Sequence, residues 1–465
     1  MKRIFLAAGI LTLAGASLST SAGHASGTTA VGGSLLLAAA NGTPSTAEPP
    51  VRAKSTPRKT AAKRPMAPVA DAETQPLSEE EVEAWRKTFD SWDAFLTFVI
   101  KEAARTTGDP ELRYTLLDIL LEARHDILRA LGPLKPGEPD PVRRLFLKTW
   151  KRLAPVMRKL SETAPEQDAL RLLSMASAGD MFRAMEEMGA TMGMEFSAEG
   201  LRRMARNFAP DQLADPLQRE DAVDPELREI FGFGPPLPPT QEPETKPPPA
   251  VPPGSWLDRL IKPARASFVP ASVTAWRLKD WAPTRQEATQ YVPLVRSLLQ
   301  DTAETQVRAA DLTPAHHTLF RNLVLATAWQ ETCWQHYRRK NGKLKVISSS
   351  RGAVGMMQVL PSVWRGFYET NTLRNDVGYN VRAGTEILMH YFKDFALRRA
   401  GKKPNPDYLA GITYAIYNGG PGHAGRVGRA DTQESLRAID RSFYRKYTTI
   451  KSGREPAISE CLPQK

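Results

Sequence analysis

The sequence predicts a mainly α-helical protein in which an N-terminal helical domain and a C-terminal helical domain are joined by proline-rich linkers. Three observations carry this. Leu116, Leu117, Ile119, Leu120, Ile127 and Leu128 recur at the spacing of one helix face. Helix-start signals follow one another: Ser78 precedes Glu79, Glu80 and Glu81, and Asp109-Pro110, Asp140-Pro141 and Ala164-Pro165 place proline in a first turn. No alternating strand pattern stands out between 280 and 450, while residues 235–253 are about half proline. Such a polyproline-type stretch extends by about 3.1 Å per residue and is expected to hold its neighbours apart.

The bulk properties bound the rest. A length of 465 residues fits two or three domains, and a hydrophobic content of 41% supplies at least one sizeable core. The net charge of +12 favours anionic partners such as nucleic acid, membrane surfaces or acidic wall polymers, without choosing among them. The first residues choose a compartment. Met1-Lys2-Arg3 is a positive n-region, Ile4 to Ala16 is an apolar run too short to span a bilayer, and small residues follow. Cleavage is expected after Ala25, with Ala40 as a second site. The cysteine of a lipoprotein signal is replaced by Ala16, so no stable membrane anchor is expected. The mature chain reads as exported, periplasmic and soluble.

In order, the chain reads as a signal peptide (1–25), a disordered Ala/Pro/Lys-rich segment (26–78), and an α-helical domain of unknown role (79–232). A proline-rich linker (233–254), a helical lead-in (255–314), a catalytic domain (315–452) and a tail (453–465) follow. Within the second segment Arg52, Lys54, Arg58, Lys59, Lys63 and Arg64 run without an acid, either a contact to anionic polymer or a solvated tether. Helix starts in 79–232 are unevenly spaced, which indicates helical hairpins rather than a repeat. This region is the candidate surface for a protein partner. Met181, Met185, Met188 and Met192 share a helix face. With no His or Cys nearby they read as packing residues, not a metal site. The strongest apolar runs of the C-terminal half are Val292–Leu299 and Leu319–Trp329.

The chemistry gathers downstream. Glu331 ends the apolar run and precedes Thr332-Cys333-Trp334. A carboxyl there must be neutral, paired or at the lip of a cleft, since desolvation disfavours its anion and the helix C-terminus repels it. A carboxylic acid still protonated near neutral pH can protonate a glycosidic oxygen, which points to cleavage of a sugar polymer. A basic stretch from Arg338 to Lys345 turns at Asn341-Gly342. Ser348-Ser349-Ser350 and Gly352-Ala353-Val354-Gly355-Met356-Met357-Gln358 follow, with the Met pair and Gln358 expected to open a helix. Tyr414-Ala415-Ile416-Tyr417-Asn418-Gly419-Gly420-Pro421-Gly422 reads as a helix end and glycine-rich turn. The two cysteines, Cys333 and Cys461, are either a disulfide or two buried thiols; an oxidising compartment favours the bridge.

Together these blocks resemble the lytic transglycosylase domain of the soluble type, related to goose-type lysozymes. The resemblance rests on Glu331-Thr332-x-Trp334, on Ser349-Ser350-Arg351-Gly352-Ala353-Val354-Gly355-Met356-Met357-Gln358, and on Ile416-Tyr417-Asn418-Gly419-Gly420. Asp376 and Asn380-Val381-Arg382-Ala383-Gly384 fit the helix between the last two motifs. It covers roughly residues 315–430. Three departures stand out: Thr332 replaces serine, Met356 replaces leucine, and the basic loop lengthens the segment after the acid.

The resemblance implies a lysozyme-like all-α catalytic domain and peptidoglycan glycan strands as substrate, cut between N-acetylmuramic acid and N-acetylglucosamine to give a 1,6-anhydro end. Glu331 would be the single catalytic acid. Ser349, with Ser350 as its competitor, would contact the muramic N-acetyl group. Met357 and Gln358 would line the sugar subsites, and Tyr417 and Asn418 would hold Glu331 and the substrate. No cofactor and no metal are implied. The alternatives are a lysozyme-type muramidase of the same fold, for which Asp376 would have to approach the acid, and a non-catalytic wall-binding or assembly protein. Nucleic acid is set aside, because an export signal is present and no basic-aromatic motif is.

Overall fold

The computed structural model describes residues 79–130, 141–188, 198–209, 215, 217, 222–242, 271–399, 401 and 405–464. The signal peptide, the segment up to Ser78, Met192 and most of the proline-rich linker lie outside the described residues. The chain is mainly α. Helices α1 (Glu79–Arg105), α2 (Pro110–Ala130), α3 (Pro141–Ser161), α4 (Glu166–Met188) and α5 (Ala198–Phe208) pack on one another as an N-terminal bundle. Three starts fall where proline or its follower was expected, because a first-turn proline forfeits only an N–H that has no helical partner. The bundle core is aromatic: Trp92 packs on Phe95 and Phe146, and Phe146 stacks on Trp150 at 5.4 Å. Of the methionine stripe, Met181 is exposed.

Short helices α6 (Pro225–Ile230) and α7 (Ala271–Arg277) precede the C-terminal set. That set comprises α8 (Ala288–Ala309), α9 (Pro314–Thr332), α10 (Thr370–Asn375), α11 (Val377–His390), α12 (Pro406–Gly419), α13 (Glu434–Lys451) and α14 (Ile458–Cys461). Helix α9 is the axis. It buries Leu319, Phe320, Leu323, Val324, Leu325, Ala326 and Ala328, and α8, α12 and α13 pack around it. A helix apolar on all sides has to be surrounded in this way.

Two local expectations are corrected. The basic stretch is an antiparallel hairpin, β1 (Tyr337–Lys340) and β2 (Lys343–Val346), not a loop. Asn341 and Gly342 both take positive φ, 53° and 73°, which sets the tight turn. Met356-Met357-Gln358 does not open a helix. Val354 bridges to Ser348 and to Val359, so the segment folds back on itself. The backbone N–H of Met356 goes to His336 Nδ1 (3.2 Å) and that of Met357 to Asn380 Oδ1 (2.9 Å), leaving no helical ladder.

The described residues belong to one packed unit. The start of the proline-rich stretch therefore does not act as a spacer. Thr240 donates to Asp376 through its N–H and its hydroxyl, both at 2.6 Å, and Arg382 donates to the Pro238 carbonyl at 2.6 Å. Two buried arginines join the N-terminal helices to the C-terminal half. Arg124 of α2 donates to Asp93 (2.7 Å) and to the carbonyls of Val363 (3.0 Å) and Arg365 (2.9 Å). Arg228 of α6 donates to the Phe367 carbonyl (2.9 Å) and pairs with Glu386 (3.1 Å). Among the described residues no helix is long and apolar enough to cross a membrane.

Candidate active site

Glu331 sits in the last turn of α9, which ends on left-handed residues. Cys333 (φ 57°) caps it by donating to the Trp329 carbonyl at 3.1 Å, and Trp334 (φ 59°) donates from its backbone to Ala328. Non-glycine residues adopt this region at a cost of about 1–2 kcal/mol each. Burial of the Trp334 ring offsets it, with indole N–H donated to the Leu325 carbonyl at 2.9 Å. Cys333 is disulfide-bonded to Cys461, with Cα atoms 6.4 Å apart, so the tail is fastened to this helix end.

Glu331 opens into a cavity of about 200 Å³. Protein packs closely around its carboxyl, and desolvation pushes its pKa up to about 7. Two opposing effects keep it from rising further. Tyr414 donates its hydroxyl to Glu331 Oε1 at 2.9 Å, and the charge of Lys446 lies nearby. Tyr414 is itself fixed by stacking on Phe443, with ring centroids 4.0 Å apart and planes 2° apart. Its burial and the neighbouring carboxyl raise the phenol well above its usual pKa, so it stays a donor.

Ser349, Ser350, Gln358, Tyr417 and Asn418 line the same cavity as Glu331. Ser349 Oγ accepts the Ala353 N–H at 3.0 Å, which leaves its hydroxyl proton available to donate. Gln358 Nε2 donates to the Gly355 carbonyl at 2.8 Å, and Asn418 Oδ1 accepts from Arg426 at 3.2 Å. Met357 does not line the cavity. Its side chain is fully buried beneath the site, because its carbonyl accepts the Tyr417 hydroxyl (2.6 Å) while its N–H is held by Asn380. Tyr417 thus braces this segment rather than the acid; Tyr414, one turn earlier, holds Glu331. The basic hairpin contributes nothing to the cavity lining. Asp376 does not approach the acid either: it caps α11 by accepting the Tyr379 N–H at 2.9 Å and holds Thr240.

The supporting residues explain the motif spacing. Thr332 donates its hydroxyl to the Met356 carbonyl at 2.8 Å, so threonine in place of serine keeps the link between the acid's helix and the glycine loop. Asn380, fully buried, donates to the carbonyls of Val354 and Leu373, both at 3.0 Å, besides accepting from Met357. Gly355 (φ 74°) leaves no room for a β-carbon, which would collide with Asn380 and His336. Burial lowers the His336 pKa to about 4, so the ring is neutral; it accepts from Met356 and faces the Arg374 carbonyl with Nε2 at 2.9 Å.

Sequence reasoning missed the opposite wall. His125, Leu128 and Arg129 of α2 also line the cavity. Nothing in the periodicity of α2 signals this, since these residues share a helix with ordinary core positions.

No curated protein and no solved structure matched the chain. The family model of the transglycosylase SLT domain matches residues 316–439, a span that begins in α9 and ends in α13 and holds every motif of the site. Residues 316–439, with Glu331 among them, are therefore a match to the transglycosylase SLT domain, a catalytic domain of the lysozyme-like superfamily.

Proposed function

We propose that the protein is a peptidoglycan lytic transglycosylase that cleaves the β-1,4 bond between N-acetylmuramic acid and N-acetylglucosamine and leaves a 1,6-anhydromuramic end. The observation that carries this reading is a carboxyl half-ionised near neutral pH that is the sole carboxyl among the described residues lining its cavity. Glu331 donates its proton to the glycosidic oxygen as the C1–O bond breaks. The resulting carboxylate then takes the proton of the muramic C6 hydroxyl, and O6 closes on C1. The proton returns to Glu331, no water is consumed, and one carboxyl serves as acid and then as base. Ordinary glycosidases divide these tasks between two carboxyl groups. Tyr414 supports the second half, since its hydroxyl favours the carboxylate once the proton has left. Ser349, Ser350, Gln358 and Asn418 line the cavity and would hold the sugars, and a wall substrate fits the export expected from the N-terminal sequence.

The test is mass analysis of products released from purified sacculi. Wild-type chain is expected to release 1,6-anhydro products, and Glu331→Gln to lower their rate by about 10²–10⁴-fold, the usual worth of a general acid–base. Undiminished release by the variant would overturn the assignment. Products with free reducing ends from the wild type would instead indicate a lysozyme-type hydrolase.

A further inference from the structure

The antiparallel hairpin of β1 and β2 has two unlike faces. On one of them Tyr337 pairs with Val346 and Arg339 with Leu344. That face turns toward the protein. Tyr337 is buried and donates its hydroxyl to the Asn375 carbonyl at 2.8 Å, Val346 rests on the core, and Arg339 lies within electrostatic reach of Glu287. Side chains alternate along a strand, so Arg338, Lys340, Lys343 and Lys345 occupy the other face, and all four are exposed. None of the four forms an ion pair with a described residue, whereas Arg152, Arg296 and Lys451 elsewhere on the surface each hold an acid.

Residues two apart on a strand are separated by about 7 Å, and directly opposed residues by about 5 Å. The outer face is therefore a grid of four cations on a hairpin anchored by its inner face. Like charges placed directly opposite one another are destabilising. The fold carries this grid at a cost that an anionic partner would remove. The form of the grid selects the partner. It is flat and two cations wide, with no groove for a single polymer strand. No aromatic or apolar side chain shares the face, so no base or sugar ring can stack on it. Three of the four cations are lysines, point charges without the guanidinium fork that reads one carboxylate or phosphate. A plane of laterally mobile anions suits such a grid, because lipid headgroups can shift to match fixed cations. The hairpin takes no part in lining the Glu331 cavity, so this face is separate from the catalytic one.

We propose that the outer face of the hairpin docks the protein on an anionic phospholipid surface. The contact is electrostatic and reversible, and it inserts no part of the hairpin into the bilayer. Each cation near an anionic membrane strengthens binding about fivefold, and four together by roughly 10²–10³-fold. Docking of this kind concentrates the protein at a membrane and fixes which side faces it. It goes beyond the proposed reaction and does not depend on it.

The experiment reads co-sedimentation with vesicles. The chain from Ser26 onward, the form expected after signal cleavage, is mixed with vesicles of equimolar phosphatidylglycerol and phosphatidylcholine, and with vesicles of phosphatidylcholine alone. Binding is expected to the anionic vesicles only. It should be lost in about 1 M salt, where the Debye length is about 3 Å. The fourfold variant Arg338→Gln/Lys340→Gln/Lys343→Gln/Lys345→Gln should weaken the partition by roughly 10²-fold or more. Its thermal midpoint should equal or exceed that of wild type, because the opposed charges are gone, so lost binding is not lost folding. Lys340→Gln and Arg339→Gln remove the same charge from opposite faces. The first is expected to weaken binding about fivefold and the second less than about twofold. A fourfold variant that partitions like wild type overturns the docking face. Equal losses from Lys340→Gln and Arg339→Gln do so too, since net charge alone would then be the cause. Intact vesicle binding together with lost binding to purified sacculi would assign the face to the wall polymer instead.

Discussion

At the residue scale, the energetics of Glu331 can be checked without substrate. Its pKa in the fold, about 7, lies above the ordinary 4.5. The folded protein therefore keeps a proton that the unfolded chain releases. Stability from this group is complete below pH 4.5, falls as pH rises from 4.5 to 7, and stays reduced above, by roughly 3 kcal/mol. Glu331→Gln removes the ionisation, so the inactive variant should unfold at a higher temperature than wild type at pH 8 and match it near pH 4. Tyr414→Phe tests the other side of the balance. Without the hydroxyl that favours the anion, the Glu331 pKa should climb by about one pH unit, since a hydrogen bond to a charged group is worth about 1.5–3 kcal/mol. The alkaline limb of activity should move up with it while the rate at its plateau falls, and an unmoved limb would exclude this role for Tyr414. The apolar run before Glu331 made its raised pKa legible in the sequence. The choice between Tyr414 and Tyr417 was not legible, because both stand on α12 and only its rotation against α9 decides which hydroxyl reaches the acid.

At the scale of elements, the hairpin shows what register adds to composition. Arg338 pairs with Lys345 and Lys340 with Lys343, so four cations stand on one face as directly opposed like charges. Such pairs are destabilising by roughly 0.2–1 kcal/mol each. Lys343→Glu should therefore raise the thermal midpoint at low ionic strength, and the gain should shrink in 1 M salt, where the Debye length is about 3 Å. An equal gain at both salt concentrations would mean that charge is not the cause. The sequence marked the Asn341-Gly342 turn, but strands of four residues are too short to show an alternation. The failure at Met356–Gln358 has another cause. Apolar residues after glycine look like a helix start, whereas here buried side chains of distant elements, His336 and Asn380, take the backbone N–H groups that a helix would have used.

At the scale of the molecule, one covalent link and two buried arginines hold distant parts together. Cys333 and Cys461 close a loop of 128 residues, and Ile458 and Leu462 beside the bridge are buried. Loop-closure entropy gives such a bridge a worth of about 2–5 kcal/mol. Cys461→Ser should lower the free energy of denaturant unfolding by that amount. Reductant should do the same to wild type and nothing to the variant; an insensitive wild type would remove the bridge from the account. By itself the sequence determined the helical class, the helix starts at Pro110 and Pro141, and the position of a lone acid at the end of an apolar helix. These follow from local rules of capping, proline geometry and periodicity, which act within a few residues. Only the tertiary structure decided that Met357 lies beneath the site, that the start of the proline-rich stretch is docked rather than extended, and that α2 walls the cavity. Those outcomes depend on contacts such as Glu122 with Gly422 and Arg124 with Val363, between groups far apart in the chain, and no local pattern records which distant surface a helix will meet.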